Sequence, residues 1–585
     1  MLKISVLAVI GARLNSSRLP KKHLLTLAGQ PMIARIFQRI EKIPEISYVT
    51  VATTSDNYNQ PLVDWAVTAG KNVDVYDGDV NDLVGRVNAV VEQRNPDFVV
   101  YLCGDSPLIE PSTVSRMIAA LMTSTKADIV KLEATADAKA YIHEGFSIYR
   151  RSVWDRIVSA SITPQEKEHV GVALNRFSHQ LTTVEVAEDP VYATLQHRIS
   201  VDTVSDYQFM QTVYRQWYCD HPQDSIVELR WVIELLQKNP QLQLLNAHVQ
   251  QKSIAETARR ILLVTQAGKA SGLGQLTRSI ILTQALQEIA KANVTLLIVG
   301  DKFDLPELSF ISHEFCPDSR DFNTSVLDSV ERIGPETVIF DAVNHYNNDY
   351  MLNLLQQLRD KSLNLIAVDG MLRCIDQLDL VYIPSFYLDP EYSGPAYQHK
   401  IMHGWNTYLL KKPPHTEKWQ KGNNAIVLTG GSDTTCLAHR LPSQLDEHLP
   451  DGTAVHWIKG PFAASPVIPS EARLHWTVHH APSDIYPIAS QMNYAISVYG
   501  VSFFEMLQLG LPCVVFNPYD IGSREMEILK TEKLALVADN EMQAVSGLAE
   551  LMENNALSGR LALRAKNAIT CSGVTDFVKR VVALS

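Results

Sequence analysis

The chain has 585 residues and a formal net charge of −12 at pH 7. This length exceeds what one hydrophobic core serves, so about three or four compact units are expected. The negative charge offers no basic surface to a nucleic-acid backbone, and we expect no nucleic-acid partner. Seven cysteines without paired spacing argue against a zinc cage or a disulfide framework and indicate a reducing compartment.

The apolar opening segment Met1–Ile10 is interpreted as a buried first strand. It is short, and it runs into Gly11 without a small-residue cleavage site. No apolar run approaches the length that a membrane span requires. We therefore expect a cytoplasmic protein without a membrane partner. The sequence does not decide the oligomeric state, and a homodimer is compatible with it.

Apolar runs alternate with amphipathic stretches from the start of the chain, as is typical of α/β proteins with parallel sheets. The first predicted strands and helices are strands Ile4–Ile10, Val49–Thr53 and Phe98–Cys103 and helices Pro31–Ile43 and Asn81–Arg94.

Two further helices, Tyr207–Trp217 and Ser225–Gln237, are predicted before the next strand begins at Ile261. We interpret them as a helical tail that ends a first domain of residues 1–255.

The alternation of strands and helices then restarts twice. The predicted strands are Ile261–Thr265, Val294–Val299, Thr337–Phe340 and Leu365–Val368, followed by Ala425–Leu428, Ala454–Ile458, Ala495–Val498 and Cys513–Phe516. They predict a second domain of residues 256–415 and a third of residues 416–585, linked near Lys411–Gln420.

A polar loop leaves the first predicted strand, where open α/β sheets bind ligands. Its backbone N–H groups, hydroxyls and cations suit a triphosphate, whose charge must be neutralised before nucleophilic attack. The candidate binding residues are Gly11, Ala12, Arg13, Ser16, Ser17, Arg18 and Lys22. A solvated basic surface loop has the same composition, so spacing alone leaves both interpretations open.

Two aspartates follow predicted strand ends. Asp105 comes after Phe98–Cys103 and a glycine, and Asp202 lies in the run Arg198–Thr203. Carboxylates from two separate strand ends form a better Mg²⁺ site than either alone. For Asp105, capping of the helix that follows Pro111 is an equal alternative.

These motifs together resemble the CMP-sugar synthetases, including CMP-KDO synthetase and the spore-coat polysaccharide cytidylyltransferases. The loop is similar to their signature A-R-x-x-S-(S/T)-R-L-P-G-K, Gly104–Ile109 to G-D-x-P-L-I, Glu168–Val170 to E-H-V, and Val201–Thr203 to V/I-D-T. The chain departs from the family at Lys21, where glycine is usual, and at Gly11, where some relatives have proline.

The resemblance implies a GT-A-like, Rossmann-like nucleotidyltransferase domain that joins CTP to an acidic, nonulosonate-like sugar and releases pyrophosphate. The residue roles that it implies are CTP phosphate binding by Arg13, Arg18 and Lys22, Mg²⁺ binding by Asp105 and Asp202, and a sugar side lined by Glu144 and His169. For His169 a buried structural role is an equal alternative. A GT-A glycosyltransferase that uses an intact sugar nucleotide is a rival interpretation, which the basic loop disfavours.

Glycine-rich turns open predicted helices in the second half of the chain. Such a turn accepts a diphosphate at the positive end of a helix, and a glutamate one turn later accepts ribose hydroxyls. Tight structural turns and an exposed glutamate are the alternatives. The candidate residues are Gly272, Gly274 and Gln275, then Gly430, Gly431, Ser432 and Asp433, then Gly500, Ser502 and Glu505.

These turns, with Asp341 and Asp369 after two strands, resemble the UDP-sugar hydrolase of pseudaminic-acid biosynthesis. That resemblance implies a GT-B-like pair of Rossmann-like halves that binds a UDP-sugar and hydrolyses a UDP-amino-sugar precursor of a surface polysaccharide. Gln275 replaces the hydrolase histidine, and an amide is no general acid or base. A non-catalytic or glycosyl-transferring nucleotide-sugar module therefore stays open, as does a substitute role for His345.

Overall fold

The structure is a computed structural model. It describes residues 4–133, 140–143, 146–250, 258–268, 273–300, 302, 305–317, 321–341, 348–413, 418–482, 484–520, 523–569 and 572–584. Two compact units are present. The first comprises Met1–Ala258, Gln287–Lys291 and Ser309–Ser312, and the second comprises Arg259–Leu286, Ala292–Leu308 and His313–Ser585.

The first unit is built on a seven-stranded sheet and a small two-stranded sheet. Its strands are β1 (Val6–Gly11), β2 (Thr26–Leu27), β3 (Gln30–Pro31), β4 (Tyr48–Thr54), β5 (Val73–Tyr76), β6 (Phe98–Cys103), β7 (Ile129–Leu132), β8 (Phe146–Arg150) and β9 (Thr183–Val186). Its helices are α1 (Met32–Ile40), α2 (Gln60–Thr68), α3 (Leu83–Arg94), α4 (Pro111–Thr123), α5 (Arg151–Ala160), α6 (Pro164–Glu168), α7 (Val204–Asp220) and α8 (Leu229–Lys238).

The larger sheet has the order β5-β4-β1-β6-β8-β7-β9. Strand β1 pairs in parallel with β4 and β6, whereas β8 runs antiparallel to β6 and β7. The sheet is therefore mixed, which differs from the parallel construction that the alternating pattern predicts. Strands β7 and β8 are neighbours both in sequence and in the sheet, and such a pair needs no helical crossover and runs antiparallel.

Helix α1 shows how the pattern places the core of the first unit. Its apolar residues Ile33, Ile36, Phe37 and Ile40 recur at helical spacing and are fully buried against the central strands. Strand β1 is buried along almost its whole length, as expected of a central strand covered on both faces. Because β1 and β6 are parallel neighbours, their carboxyl ends meet at one edge of the sheet.

The second unit contains two sheets. Its strands are β10 (Arg260–Ala267), β11 (Asn293–Gly300), β12 (His313–Cys316), β13 (Thr337–Asp341), β14 (Asn364–Val368), β15 (Leu380–Tyr382), β16 (Ile401–Met402), β17 (Asn424–Leu428), β18 (Ala454–Lys459), β19 (His475–His480), β20 (Tyr494–Val498), β21 (Cys513–Phe516) and β22 (Leu536–Ala538). Its helices are α9 (Gly274–Ile289), α10 (Phe322–Ile333), α11 (Asn348–Asp360), α12 (Leu437–His448), α13 (Tyr486–Ala489), α14 (Val501–Leu509), α15 (Arg524–Glu532), α16 (Glu541–Glu553), α17 (Asn555–Ala568) and α18 (Gly573–Ala583).

The two sheets of the second unit have the orders β12-β11-β10-β13-β14-β15-β16 and β19-β18-β17-β20-β21-β22. Their strand pairs are parallel throughout. In both, the first strand lies inside the sheet and the chain winds outward on either side, as in doubly wound α/β folds. The predicted α/β fold class, with Rossmann-like sheets, is confirmed, whereas the predicted domain boundaries stay predictions.

An aromatic contact and a hydrogen bond join segments that are distant in the sequence of the second unit. Tyr408 stacks on Phe504 of α14 with ring centroids 4.0 Å apart. Tyr382 of β15 donates a hydrogen bond of 2.9 Å to the carbonyl of Gly573, the first residue of α18. The last helix of the chain therefore contacts the first sheet of this unit.

No helix in the described part of the chain has the length and apolarity needed to cross a membrane.

Candidate functional sites

Three backbone segments of the first unit meet at the carboxyl ends of β1 and β6. The Gly104 amide donates to the Gly11 carbonyl at 3.2 Å, and the Val201 amide donates to the Asp105 carbonyl at 2.8 Å. A Cβ atom at position 104 would lie 2.6 Å from the Gly11 carbonyl oxygen, so this approach requires glycine. The contacts bring Asp105 and Asp202 to the same edge as the loop after β1.

Lys22 joins the two predicted metal ligands. Its Nζ atom donates to Asp202 Oδ1 at 2.9 Å, to Asp105 Oδ2 at 3.3 Å and to the Val201 carbonyl at 3.0 Å. Three acceptors saturate the ammonium group, and the Lys22 side chain is only 9% exposed. The structure therefore brings together three residues that the sequence places far apart.

Lys21, the departure from the family signature, has a left-handed backbone conformation with φ of 55°. Glycine adopts this conformation without strain, whereas other residues do so at a cost of about 1 kcal/mol. The glycine of the signature and the lysine of this chain are therefore compatible with the same turn before Lys22.

Cations hold Asp202 in its ionised form. Burial alone would raise the pKa of this carboxyl, but Lys22, Arg18 and Arg198 hold the pKa well below its usual range. Burial likewise opposes the charge on Lys22, yet the carboxylates of Asp202 and Asp105 raise its pKa. Both partners are charged at neutral pH.

Two arginines contact Asp202 besides Lys22. Arg18 Nη2 lies 3.3 Å from Asp202 Oδ1, and Arg198 forms ion pairs with Asp202 and with Asp206, the latter at 3.1 Å. Sequence reasoning missed Arg198, although it lies only four residues before Asp202. The Nη1 atoms of Arg18 and Arg198 are buried donors without a hydrogen-bond acceptor among the described residues. Such donors are suited to an incoming anion.

Asp206 explains how Arg198 is held. Its carboxylate accepts from the Thr203 amide while the Thr203 hydroxyl accepts from the Asp206 amide, so the pair forms a capping box at the start of α7. Arg198 is therefore fixed between the helix cap and Asp202.

Arg13 lies in a separate set of contacts. It donates to the Val80 carbonyl at 3.0 Å and to Asn81 Oδ1 at 2.7 Å, and it pairs with Glu168 Oε1 at 3.4 Å. The loop signature and the predicted E-H-V motif therefore meet through Arg13 and Glu168. His169 follows the end of α6 and is half-buried, whereas Glu144 lies outside the described residues.

The remaining loop candidates have backbone or surface positions. Gly11 ends β1, and Ala12 is buried, with its carbonyl accepting from Arg86 Nη1 at 3.3 Å. Ser16 Oγ accepts from the Leu19 amide at 3.4 Å, whereas Ser17 is exposed. Arg86, which sequence reasoning missed, is 3% exposed, and burial lowers its pKa to about 10. It adds a buried cation beside the loop.

The glycine turns of the second unit lie where the sequence predicts. Gly274 begins α9, with Gln275 half-buried behind it, and Gly500 precedes α14, which carries Ser502 and Glu505. Gly272 falls outside the described residues, as does His345.

The turn after β17 precedes α12. Gly430 has φ of 86°, and Gly431 and Ser432 follow it. Both carboxylate oxygens of Asp433 accept backbone N–H groups of α12, from Leu437 at 2.9 Å and from Ala438 at 2.8 Å. Asp433 therefore caps this helix, and its predicted contact with a nucleotide sugar stays a prediction.

Glu505 is a half-buried carboxyl group without a hydrogen-bond partner in the part of the chain that the structure describes. Burial raises its pKa to about 7, against the opposing effect of Lys411. A carboxyl group in this state is suited to hydroxyl donors from a ligand.

An ionic cluster in the second unit was not predicted. Arg278 of α9 donates to Asp341 Oδ2 at 3.0 Å and to Oδ1 at 2.5 Å, and its Nη1 donates to Asp369 Oδ2 at 2.7 Å. Ser279 donates to Asp341 Oδ2 at 2.9 Å. The aspartates were noted singly in the sequence, but nothing in it connects them to one arginine.

The N-terminal region of the chain has the α/β fold of a nucleotidyltransferase domain. The sequence profile of the family described as Cytidylyltransferase matches residues 7–254. An uncharacterised protein of Methanocaldococcus jannaschii is 24% identical over 261 residues, which are 43% of this chain and 99% of that protein.

The 3-deoxy-manno-octulosonate cytidylyltransferase of Chlorobaculum tepidum is 38% identical over 116 residues, or 20% of this chain. The chain spans 45% of the length of that relative. Among solved structures, that of Acinetobacter baumannii MurG is similar with a TM-score of 0.40 and 14% identity, over 56% of this chain and 99% of that one.

Proposed function

We propose that the N-terminal region transfers CMP from CTP to an acidic, nonulosonate-like sugar and releases pyrophosphate. The observation that carries this proposal is the meeting of Arg18, Lys22, Asp105 and Asp202 at one edge of the sheet. The similarity to relatives named for an acidic sugar, 3-deoxy-manno-octulosonate, supports the substrate class. We propose the cytoplasm as the compartment, since CTP is a cytoplasmic metabolite.

Asp105 and Asp202 fit Mg²⁺ by donor type and position. Both carboxylates lie within 3.3 Å of the Nζ atom of Lys22, so the two are close enough to share one cation. Within the described ranges no group of three or more His, Cys, Asp or Glu side chains is arranged to hold a metal. Mg²⁺ needs only one or two carboxylates when water and substrate phosphates complete its shell. When bound, it would neutralise phosphate charge and polarise the α-phosphorus.

The protein groups bind and orient the triphosphate. The buried donors of Arg18 and Arg198 lack acceptors among the described residues, and phosphate oxygens would provide them. In the transfer, the oxygen of the sugar hydroxyl forms a bond to the α-phosphorus and its proton passes to solvent. The bond from that phosphorus to the bridging oxygen breaks as pyrophosphate leaves. Positioning and charge neutralisation supply most of the catalysis in such transfers.

The test is pyrophosphate release from CTP with a panel of acidic sugars. We expect Asp105→Asn in the full chain to lower turnover by about a hundredfold or more, because the amide removes a negative charge from the metal site. Asp64→Asn is the matched control, since Asp64 is exposed on α2 and accepts a hydrogen bond from Gln60. Near-normal turnover of Asp105→Asn with an unchanged circular dichroism spectrum would contradict the metal assignment.

We further propose that the second unit binds a UDP-sugar and hydrolyses a UDP-amino-sugar precursor of the same surface polysaccharide. Glu505 supports this proposal, because it is a half-buried carboxyl group, without a partner in the described ranges, one turn after the Gly500 turn. Ribose hydroxyls would supply the missing hydrogen-bond donors. A non-catalytic binding module is the alternative, favoured by Gln275.

Calorimetry with UDP and the full chain tests the binding step. We expect Glu505→Gln to weaken UDP binding by about tenfold, as loss of hydrogen bonds to a charged acceptor costs about 1.5 kcal/mol. Glu532→Gln is the control, since Glu532 is exposed at the end of α15. Equal affinities of the wild type and Glu505→Gln would remove Glu505 from the binding site.

A further inference from the structure

The cluster of Arg278, Asp341 and Asp369 lies at the carboxyl edge of the first sheet of the second unit. Asp341 ends β13, Asp369 directly follows β14, and Arg278 lies in the second turn of α9. Helix α9 follows β10, the neighbour of β13 in the sheet. Since β10 connects onward to β11 on its other side, this is the crevice where doubly wound sheets bind ligands.

Charge is distributed unevenly in the cluster. One guanidinium group faces two carboxylates, so the three side chains carry a net charge of about −1 if all are ionised. Asp341 is fully buried and receives two donors of Arg278, whereas the Asp369 side chain is 47% exposed and receives one. Asp369 therefore lies at the exposed side of the cluster and receives the smaller share of the Arg278 donors.

Asp369 retains a free acceptor. Its Oδ2 atom is bound by Arg278, and its Oδ1 atom has no hydrogen-bond partner within the described residues. The residue has a left-handed backbone conformation with φ of 56°, and its amide donates to the Tyr382 carbonyl at 2.8 Å. The fold thus holds this carboxylate in place through both its backbone and one of its oxygens.

The charge of Asp369 also acts on two tyrosines of the same unit. Burial raises the pKa values of Tyr408 and Tyr499, and the negative charge of Asp369 adds a smaller contribution to both. Tyr499 directly precedes Gly500, whose turn opens the helix that carries Glu505. Asp369 is therefore within electrostatic reach of the residue that precedes the proposed nucleotide turn.

We propose that Asp369 is the general base of a UDP-sugar hydrolysis in the second unit, an inference that rests on the UDP-sugar binding proposed above. In this step the oxygen of a water molecule forms a bond to C1 of the sugar. The bond between C1 and the β-phosphate oxygen breaks, and UDP leaves with the electron pair. One proton of the water passes to Asp369, which returns it to solvent.

With Asp369 as the base, hydrolysis does not require a histidine at the position of Gln275 on α9. Gln275 cannot accept a proton in useful amounts, but it lies one helical turn before Arg278. The residue that accepts the proton then comes from the end of β14, and Arg278 and Asp341 position it. Arg278 and Asp341 act through Asp369 and need not touch the substrate.

The test measures UDP release from a panel of UDP-2-acetamido sugars and, separately, UDP affinity by calorimetry, both on the full chain. We expect Asp369→Asn to lower kcat by about a hundredfold or more, the usual contribution of a general base, with UDP affinity unchanged. Asparagine tolerates the left-handed conformation, so the backbone is preserved. Asp376→Asn is the matched control, because Asp376 is an exposed aspartate a few residues further on.

A second variant separates a chemical role from a structural one. Asp369→Gly also suits the positive φ, and added formate is expected to restore part of its turnover by supplying a carboxylate. Wild-type turnover by Asp369→Asn, with UDP bound normally, would overturn the base assignment and leave nucleotide binding intact. UDP binding by the wild type without release from any of the sugars would also overturn it. Absence of UDP binding to the wild type would instead overturn the proposed function of this unit.

Discussion

The surroundings of Asp202 and Glu505 shift the pKa values of these two carboxyl groups in opposite directions. Both are removed from water, which raises a carboxyl pKa. Around Asp202 three cations reverse this effect and keep the group ionised. Around Glu505 only Lys411 opposes burial, and the pKa stays near 7. The contrast agrees with the proposed roles. Asp202 needs a permanent charge to bind Mg²⁺, whereas Glu505 is proposed to bind the ribose hydroxyls of a ligand.

The raised pKa of Glu505 predicts a pH dependence of stability. Between an ordinary value of 4.5 and about 7, the folded protein keeps the proton that the unfolded chain has lost. The contribution of Glu505 to the free energy of unfolding therefore falls as pH rises through this window. We expect Glu505→Gln, which does not titrate, to gain on the order of 1 kcal/mol over the wild type between pH 4.5 and 7.5, after allowance for solvent screening.

Thermal unfolding of both proteins across this pH range checks the prediction. The difference in Tm assigned to the second unit should grow with pH for Glu505→Gln and stay flat for Glu532→Gln. A difference that is constant with pH would show that Glu505 titrates as an ordinary surface carboxyl group.

At the scale of single elements, local sequence gives much of the structure. The predicted strands Phe98–Cys103 and Cys513–Phe516 are found with the same bounds, because unbroken apolar runs of this length bury both faces of a central strand. The role of a residue in a turn is harder to predict from local sequence. The short side chain of Asp433 reaches two amides of α12 and caps that helix, and its predicted contact with a nucleotide stays a prediction.

Substitution of Gly300, at the end of β11, is expected to disturb the packing of β10 against β11. Its φ is 131°, and a Cβ atom there would lie 2.1 Å from the carbonyl oxygen of Ala267, its partner on β10. We expect Gly300→Ala to lower the free energy of unfolding of the second unit by about 3 kcal/mol, since the backbone of both strands must shift. Urea unfolding monitored by fluorescence measures this change.

Gly394→Ala is the comparison for that experiment. Among the described residues other than its chain neighbours, no atom lies within 4 Å of its Cβ position, and its backbone has no positive φ. We expect the urea midpoint of Gly394→Ala to match that of the wild type. A urea midpoint of Gly300→Ala equal to that of the wild type would mean that the ends of β10 and β11 are less tightly packed than the contact indicates.

At the scale of the whole molecule, residues distant in sequence form each site. Lys22, Asp105 and Asp202 were all predicted, because each belongs to a motif with a recognisable pattern at a strand end. The hydrogen bonds among these three residues, and the ion pair of Arg198 with Asp202, were not predicted. They depend on how the strand ends and the start of α7 are brought together.

The cluster around Arg278 shows the limit of sequence reasoning more clearly. Arg278 lies on a helix, and Asp341 and Asp369 follow two different strands. None of the three belongs to a local pattern that requires the others, so no spacing in the sequence connects them. Their ion pairs arise only when β10, β13 and β14 align in one parallel sheet.

The sequence by itself determined the alternation of strands and helices, the α/β class and the identity of the glycine turns and strand-end carboxylates. These features depend on hydrophobic periodicity and on backbone preferences, which act over a few residues. The tertiary structure alone decided which charges meet, which carboxyl group is buried without a partner and which cation neutralises which anion. Such pairings depend on distances between segments far apart in the chain, and these distances are set by sheet order and packing.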